Sequence, residues 1–156
     1  MKMKRNGYDI AVNLICLGLL VGIVIYLALF WNRIPDKIPG HYNAAGVVDR
    51  WGDKGELLII PIIAWIMYIG LTILERFPQI WNTGVQVTEQ NKERVYRVLK
   101  NLVGTEKMLM VAVFIYLTLN SSFSKELPMW FLPVFLILIF GSLIWFILKL
   151  VKVSRL

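Results

Sequence analysis

Cysteine and histidine are both nearly absent, with one of each in 156 residues. Cys16 lies inside an apolar run and has no second thiol, which excludes an intramolecular disulfide. His41 has no second histidine at i+3 or i+4 and no usable cysteine, so a metal site built from His41, Asp49, Asp53 and Glu56 is a weak reading. No metal and no cofactor is therefore expected. Acidic residues are few, 10 against 17 Lys and Arg, for a net charge of +7. Long polar stretches are scarce as well. Before position 75 only residues 34–56 form one, and no internal repeat, low-complexity tract or linker to a soluble domain follows it.

Apolar residues take up the space. The chain is 58% hydrophobic with a mean hydropathy of +0.65, whereas soluble domains are about 45–50% apolar. A bilayer core about 30 Å thick needs roughly 20 apolar residues in a helix. Three runs qualify, at about 10–31, 57–74 and 128–148. A fourth, about 102–119, is weaker because Glu106 and Lys107 interrupt its start. The expected fold is all-α: one integral membrane domain over 1–156, a bundle of four transmembrane helices with an extracytoplasmic loop (32–56) and a cytoplasmic amphipathic segment (88–104). The first run has the basic front end of a signal peptide but is too long for an h-region. It ends in Leu29-Phe30-Trp31 rather than in small residues, so a retained anchor is expected.

The positive charge follows the membrane. Most Lys and Arg fall before the first run, in the 75–101 connection and after the last run, while Arg33, Lys37, Arg50, Lys54 and Lys125 occupy the other two connections. The positive-inside rule then places both termini and the 75–101 connection in the cytoplasm and the 32–56 loop outside. Topology and anionic headgroups account for the basic residues, and no nucleic-acid partner is expected. Trp31, Trp51 and Trp130 fall near the outer boundary, and Trp81 and Trp145 near the inner one, where indoles settle.

Three further features carry structural expectations. Gly18-Leu-Leu-Val-Gly22 is a small-xxx-small pattern suited to a tight helix contact within the bundle or between copies of the chain. In 88–104, Val95, Val98, Leu99 and Leu102 recur at helical spacing among Lys92, Arg94, Arg97 and Lys100, which describes a basic amphipathic helix on the inner leaflet, continuous with the third span. Glu106 and Lys107 sit about one turn into that span, Lys107 as a snorkelling anchor and the two together as a candidate ion pair.

The 32–56 loop concentrates the polar chemistry. Ile34-Pro35 and Ile38-Pro39 stiffen the chain as it leaves the first helix, Gly40 frees it, and Ala44-Ala45-Gly46 reads as a turn. Asp53 and Glu56 form a capping-box arrangement before the second span. Asp49, Arg50 and Lys54 supply charges for an interfacial ion-pair network. The loop holds no serine or cysteine, and Ser121, Ser122 and Ser124 carry no nucleophile motif, so an enzyme is not expected. His41, Asn43 and Asp49, gathered on one stiffened segment, remain as the functional residue set, with Trp51 and Lys54 beside them. Histidine is the side chain whose charge changes nearest neutral pH.

The pattern Ile-Pro-x-x-Ile-Pro-x-His-Tyr-Asn-x-x-Gly-x-x-Asp-x-Trp-Gly-x-Lys at 34–54 resembles the small membrane domain of unknown function at the front of the SdpI-type immunity proteins of bacteria, which protect cells that make the sporulation-delay toxin. The resemblance covers the first helix, the loop and the start of the second helix. It implies a multi-pass protein of the bacterial cytoplasmic membrane that protects against a secreted peptide toxin, in some members also holding a transcriptional repressor at the membrane. His41, Asn43, Gly46, Asp49, Trp51 and Lys54 are the positions that match it. The leading expectation is a non-enzymatic immunity protein that meets a peptide toxin through its outer loop. The alternatives are an accessory subunit of a larger membrane complex, packed through Gly18 and Gly22, or a membrane-embedded enzyme or transporter using His41 and a carboxylate.

Overall fold

The computed structural model describes residues 3–155; Lys2, counted above in the basic front end, lies outside them. Four long helices form: α1 (Gly7–Phe30), α2 (Ile59–Leu74), α3 (Lys92–Ser122) and α4 (Phe131–Ser154). Each is long and apolar enough to cross a membrane, α2 together with the 3-10 turn Lys54–Leu58 that leads into it, as the four runs predict. Asn6 starts α1, its side chain accepting the Asp9 N–H at 2.9 Å while the Asp9 carboxylate accepts the Asn6 N–H at 3.0 Å. Pro61 is the third residue of α2, early enough that its missing N–H breaks no intrahelical bond.

The core is a set of stripes. Val12, Cys16, Leu20, Ile23 and Leu27 bury one face of α1 at steps of three and four residues, the spacing of one helix face. They meet Ala64 and Tyr68 of α2 and Val111 and Ile115 of α3. Helix α3 is central, because α1, α2 and α4 all pack on it. The opposite faces of α1, α2 and α4 leave large apolar side chains such as Leu14, Ile66, Ile137 and Leu148 exposed, the surface a bilayer would cover.

Three expectations change. The fold is mainly helical rather than all-α: residues 37–53 form an antiparallel hairpin, β1 (Lys37–Tyr42) with β2 (Val48–Asp53). Its period-2 pattern is broken by Pro39, Gly40 and Gly52, so the sequence reads as loop. Secondly, α3 is continuous as expected, 31 residues without a break or about 46 Å at 1.5 Å per residue, but its inner apolar face is not free to lie on a leaflet. Its Val95, Val98 and Leu99 are covered by Phe146 and Leu150 of α4, with Trp81, Val85 and Val87 packed around them. The amphipathic face is thus met by protein, because α4 continues to Ser154 and supplies the apolar partner. Thirdly, Gly18 and Gly22 face open space, so their pattern makes no contact within the bundle.

The single native thiol is buried, which permits a clean topology test. With both termini inside, a cysteine introduced at Ala45 is expected to react with a membrane-impermeant maleimide on intact cells, and one at Gln90 only after permeabilisation. The reverse pattern would invert the assigned orientation.

Candidate functional site

A two-stranded hairpin is marginal alone, so this one must be held by what it docks against. Ile34 and Ile38 are buried in the core at the ends of α1 and α3. At the far end Asn43 closes the turn. Its Oδ1 accepts the N–H groups of Ala45 (2.9 Å) and Val47 (3.1 Å), and Gly46 donates to the Asn43 carbonyl. Gly46 has a φ of +85°, and a Cβ there would stand 2.4 Å from the Leu127 carbonyl oxygen. That approach lets the Leu127 N–H bond the Gly46 carbonyl at 2.9 Å, tying the hairpin tip to the α3–α4 connection.

Tyr42 is the second tie. Its hydroxyl accepts from the Asn120 amide (3.1 Å), donates to the Lys125 carbonyl (3.1 Å) and lies 3.0 Å from Ser121 Oγ. Tyr26 reaches Ser122 Oγ at 2.8 Å beside it. At the open end of the hairpin, Lys54 donates its backbone N–H to Asp36 (2.9 Å), and its ammonium stands 5.0 Å from the Trp31 ring centre. Lys54 therefore clasps the strand exit to the end of α1.

The charges of the hairpin are paired. Lys37 bonds Asp53 at 2.5 Å, and Arg50 bonds Glu56 at 2.9 Å while donating to the Gly40 carbonyl at 2.8 Å. Gly40 and Gly52 leave room for this Arg50–Glu56 arm, since a Cβ on either would clash with it. Glu56 also accepts the Asp53 N–H at 3.2 Å, the capping contact expected from the sequence. The hydrogen bond to Lys37 holds the Asp53 carboxyl below the usual carboxylate range, and Asp53 raises Lys37 in turn. Their contribution is therefore full at neutral pH. It fades as pH falls through the lowered Asp53 value or rises through the raised Lys37 value. Both groups are solvated, so it is small.

His41 and Asp49 come together. His41 Nδ1 lies 2.6 Å from Asp49 Oδ1, both side chains substantially exposed. Trp51 stands opposite Pro39 in the register and is 54% exposed. Of the five sequence-derived residues, His41 and Asp49 form a pair, Trp51 presents an indole, and Asn43 and Lys54 hold the hairpin shape. Among the described residues no group of three His, Cys, Asp or Glu side chains is placed to hold a metal.

Beneath the hairpin lies a groove of about 500 Å³. Met110, Val113 and Leu117 of α3 and Phe131, Leu132 and Phe135 of α4 line its apolar walls, and His41, Tyr42 and Asn43 edge it. Sequence reading missed this groove, since its walls are ordinary helix residues until the hairpin roofs them.

Glu106 and Lys107 do not pair with each other. Consecutive residues on a helix point about 100° apart, and each finds its own partner. Lys107 is fully buried and uses its three N–H donors on Glu75 (2.7 Å), Asn13 (3.1 Å) and Thr72 (3.2 Å). It does not snorkel. Glu106 turns instead to Ser142 of α4. A second buried set lies one turn nearer the chain start, where Asp9 receives Lys100 (2.9 Å) and Arg97 (3.0 Å). The acids at the ends of the first two apolar runs, Asp9 and Glu75, carried the signal that was missed: each opposes a cation of α3.

Residues 18–65 match the family model of a domain of unknown function, DUF1648, a span that contains the second half of α1, the whole hairpin and the start of α2. An uncharacterized protein from Archaeoglobus fulgidus is 28% identical over 159 residues, covering 91% of this chain and 85% of its own. No solved structure matches the chain.

Two stability measurements check this geometry by thermal unfolding in detergent. Gly46→Ala forces an L residue into left-handed backbone against Leu127 and is expected to cost about 1–3 kcal/mol or more, whereas Ala45→Gly costs less. Lys107→Met strands Glu75 and is expected to cost about 3–5 kcal/mol, with much of the loss recovered in Lys107→Met/Glu75→Gln.

Proposed function

We propose that this is a non-enzymatic membrane protein of the cell envelope whose outer hairpin, with the groove beneath it, captures an amphiphilic peptide arriving from outside and so protects the membrane. The observation that carries this reading is the groove itself: about 500 Å³ of apolar wall between α3 and α4, edged by His41, Tyr42 and Asn43. The likeness of the 34–54 pattern to the SdpI-type immunity proteins is what suggests a peptide toxin as the ligand. In the orientation given by the basic residues, the groove opens at the outer face, where such a peptide first meets the headgroups.

Physical chemistry divides the work between wall and edge. Lipid tails are as apolar as the groove wall, so an apolar segment already in the bilayer gains packing rather than a hydrophobic driving force by entering it. Selectivity must then come from polar groups at the edge. His41 edges the groove and carries Asp49 on its ring, and a peptide that adds a hydrogen bond to either one is held at the headgroup level while its apolar part fills the groove. Trp51 keeps the hairpin at that level. Among the described residues the His41 ring hydrogen-bonds Asp49 alone, while Ser121 of the same groove is engaged with Tyr42, an arrangement that supports recognition rather than hydrolysis. A second reading, association with another membrane protein, is favoured by the open face at Gly18 and Gly22, and co-purification separates the two.

The test is survival of a toxin-sensitive Gram-positive strain expressing the protein and challenged with a panel of secreted antimicrobial peptides. Wild type is expected to protect against at least one peptide. His41→Ala and Asp49→Ala are expected to lose that protection at equal protein level and unchanged melting temperature, because neither side chain holds the hairpin to the bundle. Protection unchanged in both variants overturns the hairpin as the recognition element.

A further inference from the structure

A second cleft, at the opposite end of the bundle, has a charge pattern that the outer site does not use. It has a volume of about 660 Å³ and lies where the chain start, the end of α2 and the first half of α3 meet. Two acids line it, Asp9 and Glu75, and both are already neutralised. Asp9 Oδ2 receives Lys100 and Arg97, and Glu75 receives Lys107. Asn13 is committed as well: its Oδ1 accepts from Lys107 and Tyr68, and its amide donates to the Asp9 carbonyl. The floor is thus polar, satisfied and without net acidity.

The rim differs. Lys4, Arg5 and Arg76 also line the cleft, and among the described residues none of the three takes part in a salt bridge. The surplus is three positive charges around an opening at the end of a four-helix membrane bundle, with Met3 and Pro78 as its apolar wall. A ligand that fits must be anionic, must offer several oxygen acceptors to two guanidinium groups and an ammonium, and must have an apolar portion or come from an apolar phase. Basic pockets between membrane helices take phosphate headgroups on these grounds.

We infer that the cleft bounded by Lys4, Arg5 and Arg76 binds a phosphate-bearing headgroup. Arg5, from the segment before α1, and Arg76, from the segment after α2, grip the phosphate from two sides, and Lys4 supplies a third charge. Occupancy would link the chain start to the α2–α3 connection. The saturated pairs of Asp9 and Glu75 keep the floor from repelling the ligand.

The experiment is native mass spectrometry of the purified full chain in mild detergent, titrated in parallel with phosphatidylglycerol and phosphatidylcholine. Preferential retention of phosphatidylglycerol is expected. Arg5→Gln/Arg76→Gln is expected to weaken it about thirtyfold, and Lys4→Gln about fivefold. Lys92→Gln/Arg94→Gln removes as much charge outside the cleft and is expected to leave retention within about twofold of wild type. Equal retention of the two lipids, or equal loss in the Lys92/Arg94 control, overturns the site. Inorganic phosphate added to the wild-type complex distinguishes the source: displacement of the lipid at millimolar levels assigns the cleft to the phosphate group from either phase, and persistence of the lipid assigns it to the membrane-borne headgroup. The melting temperature of each variant is followed alongside. If Arg5→Gln/Arg76→Gln does not fold, Lys4→Gln decides alone, and unchanged retention in it overturns the proposal.

Discussion

One buried ammonium fixes how the helices face one another. Lys107 donates to Glu75 and Thr72 of α2's end and to Asn13 of α1. A charge left unpaired in an apolar bundle is among the costliest defects available to a membrane protein, so α3 cannot rotate away from that contact. With Lys107 inward, every residue three or four positions on lies on the same face: Val111, Ile115, Thr118 and Ser122, all buried. The rotation set at one end of α3 reaches the other end along a single unbroken helix. There Ser122 meets Tyr26 and Ser121 meets Tyr42. The outer hairpin stands where it does because Lys107, about four turns down α3 from Ser121 and Ser122, has its three acceptors.

The hairpin answers a second constraint, which is that irregular backbone at a membrane boundary must satisfy its own polar groups. It does so with small residues and short side chains rather than with a core. Asn43 satisfies the turn from inside, Gly46 admits the Leu127 carbonyl, and Gly40 and Gly52 admit the Arg50–Glu56 arm. Pro39 costs no ladder bond that the sheet needs, since a two-stranded sheet consists of edge strands only. What is left over after these jobs is small: His41, Asp49 and the Trp51 indole.

The spans were legible in the sequence because length and hydropathy decide them, and each helix lies within a few residues of its apolar run except α3. That helix begins about ten residues before its apolar run, and the helical spacing of Val95, Val98 and Leu99 announced the extension; what the spacing did not show is that α4 covers this face. The turn at Ala44–Gly46 and the capping contact of Glu56 were readable from residue chemistry alone. The hairpin was not. Its strands carry Pro and Gly where alternation would show, and its pairing is secured by contacts to residues 120–127, far along the chain. The partner of Lys107 was hidden for the same reason: Glu75 is adjacent in space and distant in sequence, whereas Glu106, adjacent in sequence, points to another helix.

These differences in attachment bear on how the groove can work. Its α3 wall belongs to the rigid stripe that Lys107 orients. Its α4 wall belongs to the least buried helix, with only Phe146 and Leu150 buried, and both lie at the end remote from the groove. Along the rest of its length α4 also packs on α3, with the Ser142–Glu106 hydrogen bond and the stacking of Phe131 on Tyr116 among the contacts. Phe131 lines the groove, whereas Ser142 and Glu106 lie outside its lining, as do all the buried ion pairs. The hairpin, in contrast, is bonded to both ends of the α3–α4 connection through Tyr42 and Gly46. The hairpin, with His41 and Asn43 at the groove edge, is thus tied to the segment that leads into α4. The groove is therefore walled by two packed helices and roofed by a hairpin bonded to the connection between them, and the charged core that orients the bundle lies outside its lining.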